Sequence, residues 1–214
     1  MDLLQATALE AGSVYAASVG LDFEASAVAY AQGRALEVAG AHEAALHRWL
    51  QALDEPTARG WPALMNGVLR AARRLGRERE VAEALLEREA RVPELGLWAG
   101  HLYRLAGAPL EALGSLERAG VLPQLEVRYT ALTEELQVLV DLGRLERAIA
   151  RCREGIEALP TRALLLRVSL GGLLTRAGQP AAALEVLDAV LLEAPNLGVA
   201  HVNRSAALRL LEGA

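Results

Sequence analysis

Five glycines set the plan of this chain. Gly40, Gly76, Gly107, Gly143 and Gly178 follow one another at steps of 36, 31, 36 and 35 residues. Five residues after each stand Ala45, Val81, Ala112, Ala148 and Ala183, and nine after stand Trp49, Leu85, Leu116, Cys152 and Leu187. A proline closes each interval: Pro56, Pro93, Pro123, Pro160 and Pro195. Of the other three prolines, Pro109 and Pro180 lie two residues past a turn glycine, and Pro62 stands where a helix opens. A glycine just past a helix takes the left-handed conformation without a Cβ clash, and proline is tolerated in the first helical turn but breaks a helix interior. A chain punctuated in this way folds as pairs of antiparallel helices. One pair cannot bury the apolar stripes of both its helices, so copies must stack.

The clearest unit spans residues 164–196. Leu170, Leu173, Leu174 and Ala177 keep the 3, 4, 7 spacing of one helix face before Gly178. Pro180 opens a second helix whose stripe is Ala183, Leu184, Leu187, Val190 and Leu191, and Pro195 ends it. Composition agrees, since apolar residues make up 53% of the chain and aromatic ones only 4%. Alanine and leucine interiors suit closely packed helices, whereas β-rich cores draw on branched and aromatic side chains.

The recurring glycine, alanine and proline, together with Leu170–Gly171 in the first helix, resemble the tetratricopeptide repeat family. Gly33 and Gly100 keep the first-helix glycine, Leu69 and Leu136 replace it, and the family's aromatic near the start of that helix is absent. The resemblance implies an all-α, right-handed superhelical array of antiparallel helix pairs, an α-solenoid, as one domain over residues 1–214. Full repeats are expected at 26–59, 62–93, 93–125, 129–162 and 164–197. A half-repeat at 3–22, with Ala11 and Tyr15 at second-helix positions, precedes them, and a first helix at 198–212 follows. The 31-residue step predicts a trimmed junction around Pro93.

Charge and motif content narrow the function classes. A net charge of −5 argues against general nucleic-acid binding. Cys152 is the only cysteine, which excludes an internal disulfide and fits a reducing compartment. The start MDLLQ lacks the positive region of a secretory signal, and no apolar run near it is long enough to span a bilayer, so the expectation is a cytoplasmic protein without membrane partners. His42, Glu43 and His47 imitate a zinc-protease motif, but the two histidines are five apart and point about 140° from each other on a helix, so no metal is expected there. His101 and His201 are isolated in sequence, and Cys152 takes the apolar Leu187 position. No phosphate loop, nucleophile elbow or paired catalytic carboxylates stand out, which predicts a protein that is not an enzyme and uses no cofactor.

All 22 basic residues are arginine. Arg70, Arg73, Arg74 and Arg77 read as one stripe, turned away from the apolar stripe Leu64, Val68, Ala72 and Leu75: Arg70 lies about 200° and Arg73 about 140° from Val68. In tetratricopeptide arrays the first helices line a groove that holds extended peptides. Carried onto this chain, the resemblance places Tyr30 and Arg34, then Asn66, Arg70 and Arg73, then Leu97, His101 and Arg104 in the groove, followed by Thr133, Gln137, Val168, Gly172 and Thr175. Asn66 with Arg70 is similar to the residues by which some family members clamp a C-terminal carboxylate. The expected partner is therefore a protein or peptide, with an acidic segment or terminal carboxylate. A regulatory arm of a transcription regulator or signalling ATPase, and a homodimer formed through uncapped ends, are the alternative expectations.

Overall fold

The computed structural model describes residues 25–54 and 62–213, so the half-repeat at 3–22 and Pro56 lie outside the described residues. Eleven α-helices occur among the described residues, with no strand: α1 (Ala25–Val38), α2 (His42–Ala52), α3 (Pro62–Leu75), α4 (Glu78–Leu86), α5 (Leu95–Leu105), α6 (Pro109–Ala119), α7 (Leu125–Asp141), α8 (Leu145–Ala158), α9 (Ala163–Arg176), α10 (Pro180–Glu193) and α11 (Gly198–Glu212). A single 3-10 turn, Pro160–Arg162, precedes α9.

Each turn glycine closes a first helix in the same manner. Gly40, Gly76, Gly107, Gly143 and Gly178 have φ of 81°, 65°, 69°, 69° and 70°. The amide after each glycine reaches back to a carbonyl five residues earlier: Ala41 to Leu36, Arg77 to Ala72, Ala108 to Tyr103, Arg144 to Leu139 and Gln179 to Leu174, at 2.8–2.9 Å. The glycine's own N–H donates to the carbonyl three residues before it, completing a Schellman motif at all five turns. The partner helix starts two residues after each glycine, and the residue between offers its carbonyl to the N–H of Ala45, Val81, Ala112, Ala148 or Ala183. Those five residues are at most 1% exposed. No side chain caps α2, α4, α8 or α10 at its N-terminus, so backbone geometry alone fixes where these helices begin.

Because Gly76 turns the chain, the four-arginine stripe is split. Arg77 is not on α3 with Arg70, Arg73 and Arg74; it stands before α4, where it pairs with Glu80 and, at 3.7 Å, with Glu43. Near Pro93, α4 has only 9 residues and gives way to turns before α5.

Packing between paired helices follows residue size. Trp49 is fully buried, and a Cβ on Gly33 would come within 2.1 Å of its ring and one on Gly67 within 2.9 Å. The indole therefore lies between glycines of α1 and α3, and its Nε1–H donates to the Tyr30 carbonyl at 3.3 Å. A Cβ on Gly171 would likewise meet Leu187 at 2.5 Å. Where Leu136 stands at the position of Gly33 and Gly171, the residue sixteen further on is the smaller Cys152. Its thiol is buried, donates to the Leu166 carbonyl at 3.3 Å, and is pushed up to about 11 by desolvation, which makes it an inert core group.

The chain divides into two compact units, residues 1–115 and 116–214. In the second, Glu135 is 4% exposed, and the Arg151 Nε–H is shared between its two carboxylate oxygens, each at 3.0 Å. No helix among the described residues is long and apolar enough to cross a membrane.

Candidate functional site

In the N-terminal unit, α3 presents its polar face beside the C-terminal end of α1, the Gly40 turn and α5. The result is an open recess of about 890 Å³, lined by Glu37, Val38, Gly40, His42, Asn66, Leu69, Arg70, Arg73, Arg74 and His101. Asn66, Arg70 and Arg73 reach it because they stand at i, i+4 and i+7 on α3, opposite the buried Leu64, Val68 and Ala72.

The charges of this recess are unevenly committed. Arg70 donates through Nε and Nη2 to the two carboxylate oxygens of Glu37, each at 3.1 Å, and Arg34 bonds the same carboxylate from one turn earlier on α1. Burial pushes the Glu37 carboxyl up, but the Arg70 hydrogen bonds and the charges of Arg70 and Arg34 more than offset it, leaving it below the usual carboxylate range. The Glu37 side chain is 14% exposed and that of Arg70 47%. Arg73 and Arg74 are exposed and have no carboxylate partner among the described residues. His42 adds a buried Nδ1 without a hydrogen-bond partner.

Of the groove residues expected from sequence, Asn66, Arg70, Arg73 and His101 share this recess. Arg34 contributes indirectly through Glu37. Tyr30 and Arg104 are half-buried and do not line it, and Leu97 is only 5% exposed.

Thr133 and Gln137 line a smaller recess of about 240 Å³ in the C-terminal unit, with Ser169, Gly172, Arg176 and Asn203. Its polar groups are largely consumed locally: Thr133 donates to the Thr130 carbonyl at 2.9 Å, Gln137 to Asp141 at 2.7 Å, and Asn203 to the Val168 carbonyl at 3.2 Å. Thr175 is likewise bonded to the Gly171 carbonyl at 2.8 Å, and Val168 is buried.

Glu37 and His42 were not among the groove positions expected from sequence. Glu37 carries a usable signal, standing three residues after Arg34 and three before the turn glycine. Its second arginine comes from another helix pair and has no local signature. Among the described residues no group of three or more His, Cys, Asp or Glu side chains is placed to hold a metal ion.

No family model matches the chain, and no curated protein matches it. Solved structures do. One is the crystal structure of a thermophilic TPR protein from Thermus thermophilus, similar at a TM-score of 0.52 and 22% identity over 84% of this chain and 97% of that one. The fold is tetratricopeptide-repeat-like. The paired helices, the turn glycines and the small residues beneath the second helices are the TPR-like features of both units.

Proposed function

We propose that this chain is a protein-interaction scaffold that holds an acidic peptide segment, or a terminal carboxylate, against the α3 face of its N-terminal unit. Asn66, Arg70, Arg73 and His101 form the recess side of the contact, with Tyr30, Arg34, Leu97 and Arg104 as the neighbouring groove positions. Thr133 and Gln137 belong to the smaller recess of the C-terminal unit, whose one charged lining residue is Arg176. The observation that carries this reading is the exposure of Arg73 and Arg74 in an open recess, without a carboxylate partner among the described residues. A charge-assisted contact to a guanidinium contributes about 1.5–3 kcal/mol when partly dehydrated and less when open to water.

Fluorescence anisotropy tests it with a labelled glutamate-run peptide and its glutamine counterpart. The acidic peptide should bind more tightly, and the advantage should shrink with added salt and disappear in Arg73→Ala/Arg74→Ala. Equal affinities for both peptides in both proteins would sink the assignment.

A second reading, self-association, has its own observation. Val199, Val202 and Leu210 on α11 are 50%, 66% and 43% exposed. An isologous contact needs one patch that faces its own copy, and an apolar stripe along a single helix can supply it. Light scattering should then show a dimer that Val202→Arg converts to monomer; a monomeric wild type at high concentration removes this reading.

A further inference from the structure

Three arginines line the α3 recess, a fourth, Arg34, reaches it only through Glu37, and they are not equivalent. Arg70 is fixed to Glu37 by two hydrogen bonds of 3.1 Å, one to each carboxylate oxygen, and Arg34 is bound to the same carboxylate. A fork-on-fork pair of this kind occupies the directional donors with which an arginine would grip an incoming carboxylate. Arg73 and Arg74 retain theirs. Glu37 also lines the recess, so its charge faces whatever enters. Building on the acidic-segment reading above, we infer that Glu37 is a specificity-determining residue of this recess: it engages Arg34 and Arg70 as an internal substitute for a ligand carboxylate, and leaves Arg73 and Arg74 to receive the partner.

The chemistry of the partner follows. With Arg34 and Arg70 both held by the Glu37 carboxylate, the recess offers Arg73 and Arg74 as its uncommitted cations, beside a carboxylate that also lines it. A segment with several neighbouring carboxylates can meet both cations and outweigh the repulsion from Glu37. An isolated carboxylate gains one contact against the same repulsion, so Glu37 favours acid-rich segments over single acidic residues. Removing its charge should strengthen binding, because Arg34 and Arg70 become available and the repulsion vanishes. A carboxylate that merely props Arg70 into a productive geometry predicts the opposite.

The experiment uses the full chain, the labelled glutamate-run peptide, a version with a single glutamate and the glutamine control, all read by anisotropy. Circular dichroism melts establish that each variant is folded. Glu37→Gln should tighten the glutamate-run peptide about tenfold and narrow its advantage over the single-glutamate peptide. Glu37→Ala removes the same charge with a smaller side chain and should tighten the glutamate-run peptide likewise, which keeps the test decisive even if Glu37→Gln melts. Unchanged or weaker binding by folded Glu37→Gln would overturn the inference. So would weaker binding by folded Glu37→Ala. If the glutamine control binds as well as the acidic peptides, the acidic-segment reading itself fails, whatever Glu37 does.

Discussion

Trp49 and Gly33 show how closely this architecture depends on pairs of residues rather than on single ones. Alanine is the better helix former by about 1 kcal/mol, so Gly33→Ala would stabilise an isolated helix. Here the added methyl would sit 2.1 Å from the indole nitrogen, and the indole has little room to retreat, because it also packs on Gly67, where even a Cβ would stand 2.9 Å from the ring. Overpacking costs of about 1–3 kcal/mol are the expected net result. Urea denaturation should show Gly33→Ala less stable than wild type, and Trp49→Leu should relieve much of the added loss when the two are combined. Strict additivity of the two changes would mean that the two residues do not share the contact assigned to them.

At the scale of the helix pair, conformation and space can be separated. A Cβ on Gly178 would meet nothing within 4 Å, yet φ is +70°. Gly178→Ala should therefore cost about 1–2 kcal/mol through backbone conformation alone, and Gly178→Asn less, since asparagine enters the left-handed region more readily. Chemical denaturation of the two variants checks the ranking; a neutral alanine substitution would mean that the turn can be closed in another way. These turns were legible in sequence because glycine and proline each have one dominant backbone reason to occupy their positions. The buried alanines and the large residues beneath the second helices were legible too, as fixed offsets from the turn. The site was legible in part. Helical spacing put Asn66, Arg70 and Arg73 on one face, but it also drew Arg77 into the stripe by continuing the helix past a glycine that ends it. Glu37's grip on Arg70 was hidden, because it joins residues 33 positions apart. Such contacts depend on how one hairpin lies on the next, which periodicity within a helix does not encode.

At the scale of the molecule, arginine–carboxylate pairs join helices both between hairpins, as at Glu37 and Asp54, and within one, as at Glu135, and their responses to acid differ in sign. Glu37 is held below its usual range, and so is Asp54, through hydrogen bonds from Arg88 and Arg91. Their contributions are present above the unfolded-state value and are lost as pH falls. Glu135 runs the other way. Desolvation pushes its carboxyl up more strongly than Arg151 lowers it, so the folded state takes up a proton more readily than the unfolded state does. Its ionised form is therefore a burden at neutral pH, relieved as pH falls through the folded-state value towards the reference value of 4.5. Arg151 is 33% exposed and also reaches Glu154 at 3.4 Å, so it does not need Glu135 to remain solvated. Glu135→Gln should thus melt at or above the wild-type temperature at pH 7, and the gap should close on acidification. Arg151→Ala leaves the buried carboxylate alone and should cost about 3 kcal/mol at pH 7, with partial recovery in acid. Melting curves of the three proteins across that window decide the matter. A Glu135→Gln variant that is clearly less stable at pH 7 would show that the ion pair, and not the cost of burying it, governs this site.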